Sequence, residues 1–169
     1  MQSKLDAALA WAARGFRVFP VQANSRDPLA GSNWTAEATT DPARIRALWT
    51  DPFSNSVHDY NVACLADGLA IHDIDVKHGK PGLQTYEALG GKFDTLTVKS
   101  PSGGYHLYYT HENAGQSPLG PGLDVRGVNG YVLAPGSTID GVPYQVVHDV
   151  PVLPCPPHLR AVIREPRKT

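Results

Sequence analysis

The run Leu69-Ala70-Ile71-His72-Asp73-Ile74-Asp75-Val76 constrains this chain more than any other segment. Its apolar density reads as a strand inside a sheet. A period of two then puts Asp73 and Asp75 on one face, with His72, Ile74 and Val76 on the other. Two like carboxylates on one strand face repel, and burying them unpaired is costly. The fold must therefore bring them positive charge or leave them at a solvated edge. A divalent cation is the economical compensator, and hard oxygen donors favour Mg²⁺ or Mn²⁺ over zinc. An Asp-x-Asp pattern is short and common, and alone it decides nothing.

The rest of the sequence predicts short helices and strands around that segment. Leu5, Ala8, Leu9 and Ala12 recur at helical spacing and Gly15 follows as a C-cap, giving a helix over 4–14. Thr40-Asp41-Pro42 opens a second helix carrying Ile45, Leu48 and Trp49, stopped at Asp51-Pro52. Strands are expected at 16–21, 61–65, 69–76, 96–99, 105–110, 123–126, 131–134 and 144–147, with a helix over 83–89. Asp67-Gly68 between two apolar runs predicts a hairpin that pairs 61–65 with 69–76. The 16 Gly and 15 Pro are scattered between the apolar runs, which favours many turns over long helices. No repeat of solenoid or propeller length is present. The 169 residues suit one compact domain, expected over 1–150, and the prolines from Pro151 to Pro157 lead into a basic tail or linker over 151–169.

Several function classes lose their support. Fifteen Lys and Arg against 16 Asp and Glu give a net charge of −1, so no global field draws the molecule to nucleic acid or membrane, and a polyanion must meet a local patch. No apolar run reaches the length of a bilayer span, and the N-terminus lacks a signal peptide's basic start and apolar core, so a cytoplasmic protein without a membrane partner is expected. Cys64 and Cys155 are far apart and outside any Cys-x-x-Cys pair, which argues against a disulfide framework and a cysteine zinc site. The motifs of serine hydrolases, P-loop NTPases and zincins are missing.

Two further segments add chemistry. Ser102-Gly103-Gly104-Tyr105-His106 joins a glycine turn to a strand carrying a histidine, and glycines let backbone N–H groups approach an anion such as phosphate. An ordinary hairpin and an ordinary sheet histidine give the same pattern. Gly122-Leu123-Asp124-Val125-Arg126-Gly127 supplies a third carboxylate, with Arg126 on the same strand face. A surface Asp124–Arg126 pair worth under about 1 kcal/mol is the bland alternative. Together these residues form a parts list for phosphoryl or nucleotidyl transfer: acids for two metal ions, and an imidazole and a guanidinium for a triphosphate.

In order and wording, Asp73-Ile74-Asp75, Gly104-Tyr105-His106 and Leu123-Asp124 resemble the three motifs of the bifunctional DNA primase/polymerase (prim-pol) N-terminal domain of the archaeo-eukaryotic primase superfamily. The flanks Gly15-Phe16-Arg17-Val18-Phe19-Pro20 and Gly130-Tyr131-Val132-Leu133-Ala134-Pro135-Gly136-Ser137 extend the resemblance over most of the chain. It implies an α+β fold with an RRM-like catalytic core, a mainly antiparallel sheet flanked by helices. It also implies a nucleotidyltransferase that makes primers or extends them from NTPs or dNTPs on a single-stranded DNA template, in replication of a plasmid, phage or mobile element. By the same resemblance Asp73, Asp75 and Asp124 hold two Mg²⁺ or Mn²⁺ ions, with no zinc, and His106 meets the incoming triphosphate. Ser102, Gly103, Gly104, Arg126 and Ser137 extend the nucleotide site, and Arg26 stands where relatives carry a basic residue before proline. Relatives continue into a helical accessory domain and often a helicase, so a longer parent protein is expected.

Two other classes share the parts list. A metal-dependent nuclease uses similar acids but shortens its substrate. A non-catalytic nucleotide- or single-strand-binding module would instead stack bases on Tyr105, Tyr108 and Tyr109, at about 1–3 kcal/mol each, although such tyrosines are more often cross-strand packing pairs.

Overall fold

A computed structural model of the chain describes residues 2–168. The elements run α1 (Lys4–Ala13), β1 (Val18–Val21), α2 (Trp34–Glu37), α3 (Pro42–Trp49), β2 (Asn61–Leu65), β3 (Leu69–Ile74), α4 (Gly82–Ala88), β4 (Thr97–Lys99) and β5 (Tyr105–Thr110). They continue β6 (Ser117–Gly120), β7 (Leu123–Arg126), β8 (Tyr131–Leu133), β9 (Thr138–Ile139), β10 (Val142–Pro143), β11 (Gln145–His148), β12 (Leu153–Pro154) and α5 (Pro157–Arg160). The chain is α+β with mainly antiparallel sheets, as expected. It divides into two compact units. One is formed by residues up to Leu65 with Tyr131–Gln145, the other by Ala66–Gly130 with the chain from Val146 onward. Among the described residues no helix is long and apolar enough to cross a membrane.

The first unit carries a three-stranded sheet in the order β1-β2-β8. Ser3 caps α1 by accepting the Asp6 N–H at 3.0 Å, and Gly15 leaves the helix at φ +98°. Asp41 caps α3 through the Ala43 N–H, with Pro42 in the first turn. The inner faces of both helices, from Leu5, Ala8 and Trp11 to Ile45 and Trp49, are buried, as are Val18, Phe19, Val21 and Val62 to Leu65 of the sheet. Asp140 and Gly141, at φ +50° and +79°, make the tight turn between β9 and β10.

The second unit is built on a sheet ordered β11-β4-β5-β3-β7-β6, with β12 lying parallel to β5. β3 is central, antiparallel to β5 on one side and to β7 on the other. Ala70 and Ile74 of β3, Leu107 and Tyr109 of β5, and Leu123 and Val125 of β7 share one face, which packs with Tyr86 of α4 and Leu159 of α5 in the core. The opposite face carries Asp73, His106, Asp124 and Arg126, with Ile71 and Tyr108 buried in the adjacent row.

Two expectations are corrected. β2 and β3 do not pair as a hairpin, because β2 is already bonded on both sides by β1 and β8, and β3 by β5 and β7. The Asp67-Gly68 turn forms, with Leu69 N–H donating to Ala66 C=O at 3.0 Å, but its polar groups are taken by other segments: Asp67 accepts the Asn129 N–H at 2.7 Å, and Gly68 C=O accepts the His111 N–H. It moves the chain from one sheet to the other. The segment after residue 150 is likewise no free tail, since β12 pairs with Tyr109 and Thr110, and Cys155 and Leu159 are buried. An additional edge strand, β6, carries no strand signal in the sequence because Pro118 and Gly120 flank its one apolar residue, Leu119; its bulge at the sheet edge tolerates them.

Candidate active site

Antiparallel register decides which polar side chains meet. Asp73 stands directly opposite His106 of β5 on one side and Asp124 of β7 on the other, so the three project from one face as a row across three strands. Arg126, two residues after Asp124, joins that face in the adjacent row opposite Ile71. Asp75 follows on the same alternation, just beyond the end of β3, where its N–H donates to Gly122 C=O at 2.8 Å. Five residues from three separate stretches of the sequence are thus brought together by strand pairing and its continuation past Ile74.

The charges are compensated inside the group. Arg126 Nη2 lies 3.6 Å from Asp73 Oδ2 and 3.8 Å from Asp124 Oδ2, so one guanidinium serves two opposed carboxylates. His106 Nε2 is 3.4 Å from Asp73 Oδ1, and its side chain is only 7% exposed, which keeps the imidazole fixed beside the acid. Asp75 accepts the Lys77 N–H at 2.9 Å and pairs with Lys80 Nζ at 3.1 Å. Partial burial and the neighbouring Asp73 raise its pKa, but the Lys77 amide and the Lys80 ammonium outweigh them and hold the carboxyl below its ordinary value. Lys80 was not singled out from the sequence; the signal was a basic turn, Lys77-His78-Gly79-Lys80, directly after the acidic strand.

The glycine turn has a structural job. Gly103 N–H donates to Ser100 C=O at 3.0 Å and Ser100 N–H to Gly104 C=O at 2.9 Å, with Pro101 inside the turn and Gly103 at φ +93°. This closes the β4–β5 hairpin. A Cβ on Gly104 would fall 2.1 Å from the Ile74 carbonyl oxygen, so glycine is what lets the hairpin close on the end of β3. Ser102 is exposed at the tip of that turn, two residues ahead of Gly104.

Ser137, Arg26 and the strand tyrosines are held by contacts of their own. Ser137 belongs to the first unit and is fully buried, accepting the Val62 N–H at 2.8 Å and donating to Val62 C=O at 3.0 Å, so its one donor is committed to β2. Arg26, also in the first unit, donates from Nε to the Tyr144 hydroxyl at 3.1 Å. Tyr108 and Tyr109 are buried, and Tyr109 shares a 2.7 Å hydroxyl hydrogen bond with Tyr86, which removes two of the three tyrosines from any base-stacking surface.

Among the described residues no three His, Cys, Asp or Glu side chains converge as a ready metal cage. The donor chemistry nevertheless suits a hard divalent cation: carboxylate oxygens of cross-strand partners on a partly exposed face, with a cationic group already standing between them. The guanidinium marks a position that selects positive charge.

No curated protein matches the chain. The family model for the bifunctional DNA primase/polymerase N-terminal domain matches residues 8–158, a span that takes in every element from within α1 into α5 and the whole acidic row. The chain belongs to the bifunctional DNA primase/polymerase N-terminal domain family.

Proposed function

We propose that this chain is a template-dependent nucleotidyltransferase that synthesises primers or extends them on DNA from NTPs or dNTPs, in the replication of a plasmid, phage or other mobile element. The observation that carries the reading is the row His106–Asp73–Asp124 with Arg126 beside it, on the sheet face opposite the core. Asp73, Asp75 and Asp124 are the residues to hold Mg²⁺ or Mn²⁺, which supplies Lewis acidity to phosphate oxygens when bound. His106 and Arg126 offer donors to the triphosphate, and the fixed imidazole orients it at little entropic cost. Ser102, exposed on the hairpin tip with Gly103 and Gly104 behind it, borders the same end of the sheet as Asp75 and suits contact with the phosphate chain. Ser137, with its hydroxyl engaged, has no part in this reading.

Extension of a labelled primer on single-stranded DNA, with Mg²⁺, Mn²⁺ or EDTA, tests the proposal. Metal-dependent lengthening is expected from the wild type, with a loss of at least about a hundredfold in Asp73→Ala. Product shortening would make the protein a nuclease, and wild-type extension by Asp73→Ala would overturn the assignment of the acids. Omitting the primer from the same assay separates synthesis of primers from their extension.

A further inference from the structure

Arg126 is more than one donor among several. Its Nη2 reaches an oxygen of Asp73 and an oxygen of Asp124, residues that the register sets directly opposite each other. Like charges in that arrangement destabilise a sheet unless a cation joins them. Lys80 does a similar service for Asp75, but that pair is largely solvated and contributes little. The Arg126 pose also has a cost: Nε is buried and has no hydrogen-bond partner among the described residues. The two aspartates, rather than a full set of hydrogen bonds, hold the side chain there.

A gap bridged by a guanidinium nitrogen cannot hold a second cation at the same time. We propose that Arg126 is the counter-ion of the metal-free site, and that a divalent cation displaces it from Asp73 and Asp124 and frees it for the triphosphate. This rests on the reading of the acids as metal ligands. The exchange makes cation and nucleotide binding cooperative. A cation arriving alone must break the Arg126 contacts without replacement, whereas one arriving with a triphosphate gives the displaced guanidinium a new anion. By linkage each ligand then strengthens the other to the same degree. The exchange also explains why a solvent-accessible pair of opposed carboxylates is tolerated when no metal is bound.

The test needs no turnover. Mn²⁺ binding is followed by electron paramagnetic resonance, without nucleotide or DNA, in the wild type, Arg126→Met, Arg126→Lys and Asp73→Asn. Arg126→Met is expected to bind Mn²⁺ at least about fivefold more tightly than the wild type, with Arg126→Lys in between. Mg²⁺ saturation is expected to move the Arg126 Nε–H signal in the ¹⁵N spectrum of the wild type. Mn²⁺ binding that Asp73→Asn abolishes but Arg126→Met leaves unchanged or weakens would overturn this proposal alone. Absence of Mn²⁺ binding in the wild type and every variant would overturn the metal reading and this proposal with it. If Arg126→Met does not fold, Arg126→Lys and the Nε–H signal decide, and an unmoved signal overturns the exchange.

Discussion

His72 and Asp73 are consecutive in β3 and face opposite sides of its sheet. His72 is buried against Tyr86 and Tyr109, with ring centroids 5.8 and 5.3 Å away. Burial pushes its pKa down from 6.5 to about 4, and a weak approach to the Ala70 backbone offsets this only in part. A base whose pKa falls on folding binds fewer protons in the folded than in the unfolded state. Its contribution is therefore intact above pH 6.5 and is lost as pH falls from there through about 4. Near pH 5 the loss is about 2 kcal/mol. Urea unfolding at neutral pH and near pH 5 should show that loss in the wild type and much less of it in His72→Leu. Equal pH dependence in the two would clear His72 of the effect. Asp73, one position on, stands instead beside His106 and Arg126.

Hairpins and helix docking decide how well the acidic row is held. The β4–β5 hairpin closes on the end of β3 through Gly104, where a Cβ would fall 2.1 Å from the Ile74 carbonyl. Gly104→Ala should cost about 1–3 kcal/mol in chemical unfolding, and it should reduce extension because Asp75 follows Ile74 directly. A stable variant with full extension would mean that the strand end adjusts freely. On the core side α5 packs against the sheet, and β12 extends the sheet beside β5. Leu159→Ala, at a fully buried position, should cost about 2–5 kcal/mol. A change under about 0.5 kcal/mol would return this segment to the status of a loose tail. The predicted element types largely hold, because helical spacing, caps and strand alternation are local properties: α1, α3, β3, β5 and β7 lie close to where the pattern puts them. β3 stops at Ile74 rather than Val76 because the Asp75 side chain turns the backbone by accepting the Lys77 N–H.

The molecule as a whole carries a net charge of −1, so its hold on DNA cannot come from a general field. Single-strand binding should have a shallow salt dependence, with a log–log slope no steeper than about −3, equivalent to about four phosphate contacts. Fluorescence anisotropy of labelled oligo-dT across a salt series measures it, and a slope near −6 would reveal a basic surface that the net charge conceals. Alternation along each strand determined from the sequence alone that Asp73 and Asp75 share a face of their strand, that Asp124 and Arg126 share a face of theirs, and that His72 turns the opposite way from Asp73. It could not say which strands are neighbours. Pairing depends on contacts between residues far apart in the chain, so only the folded molecule decided that Asp73 lies between His106 and Asp124, and that Arg126 serves both acids. Non-local packing also decided that the Asp67-Gly68 turn passes the chain between sheets, that Ser137 ties down Val62, and that the proline-rich end is packed into the second unit. Alternation is a property of one strand's covalent geometry; the composition of a site on a sheet is a property of its register.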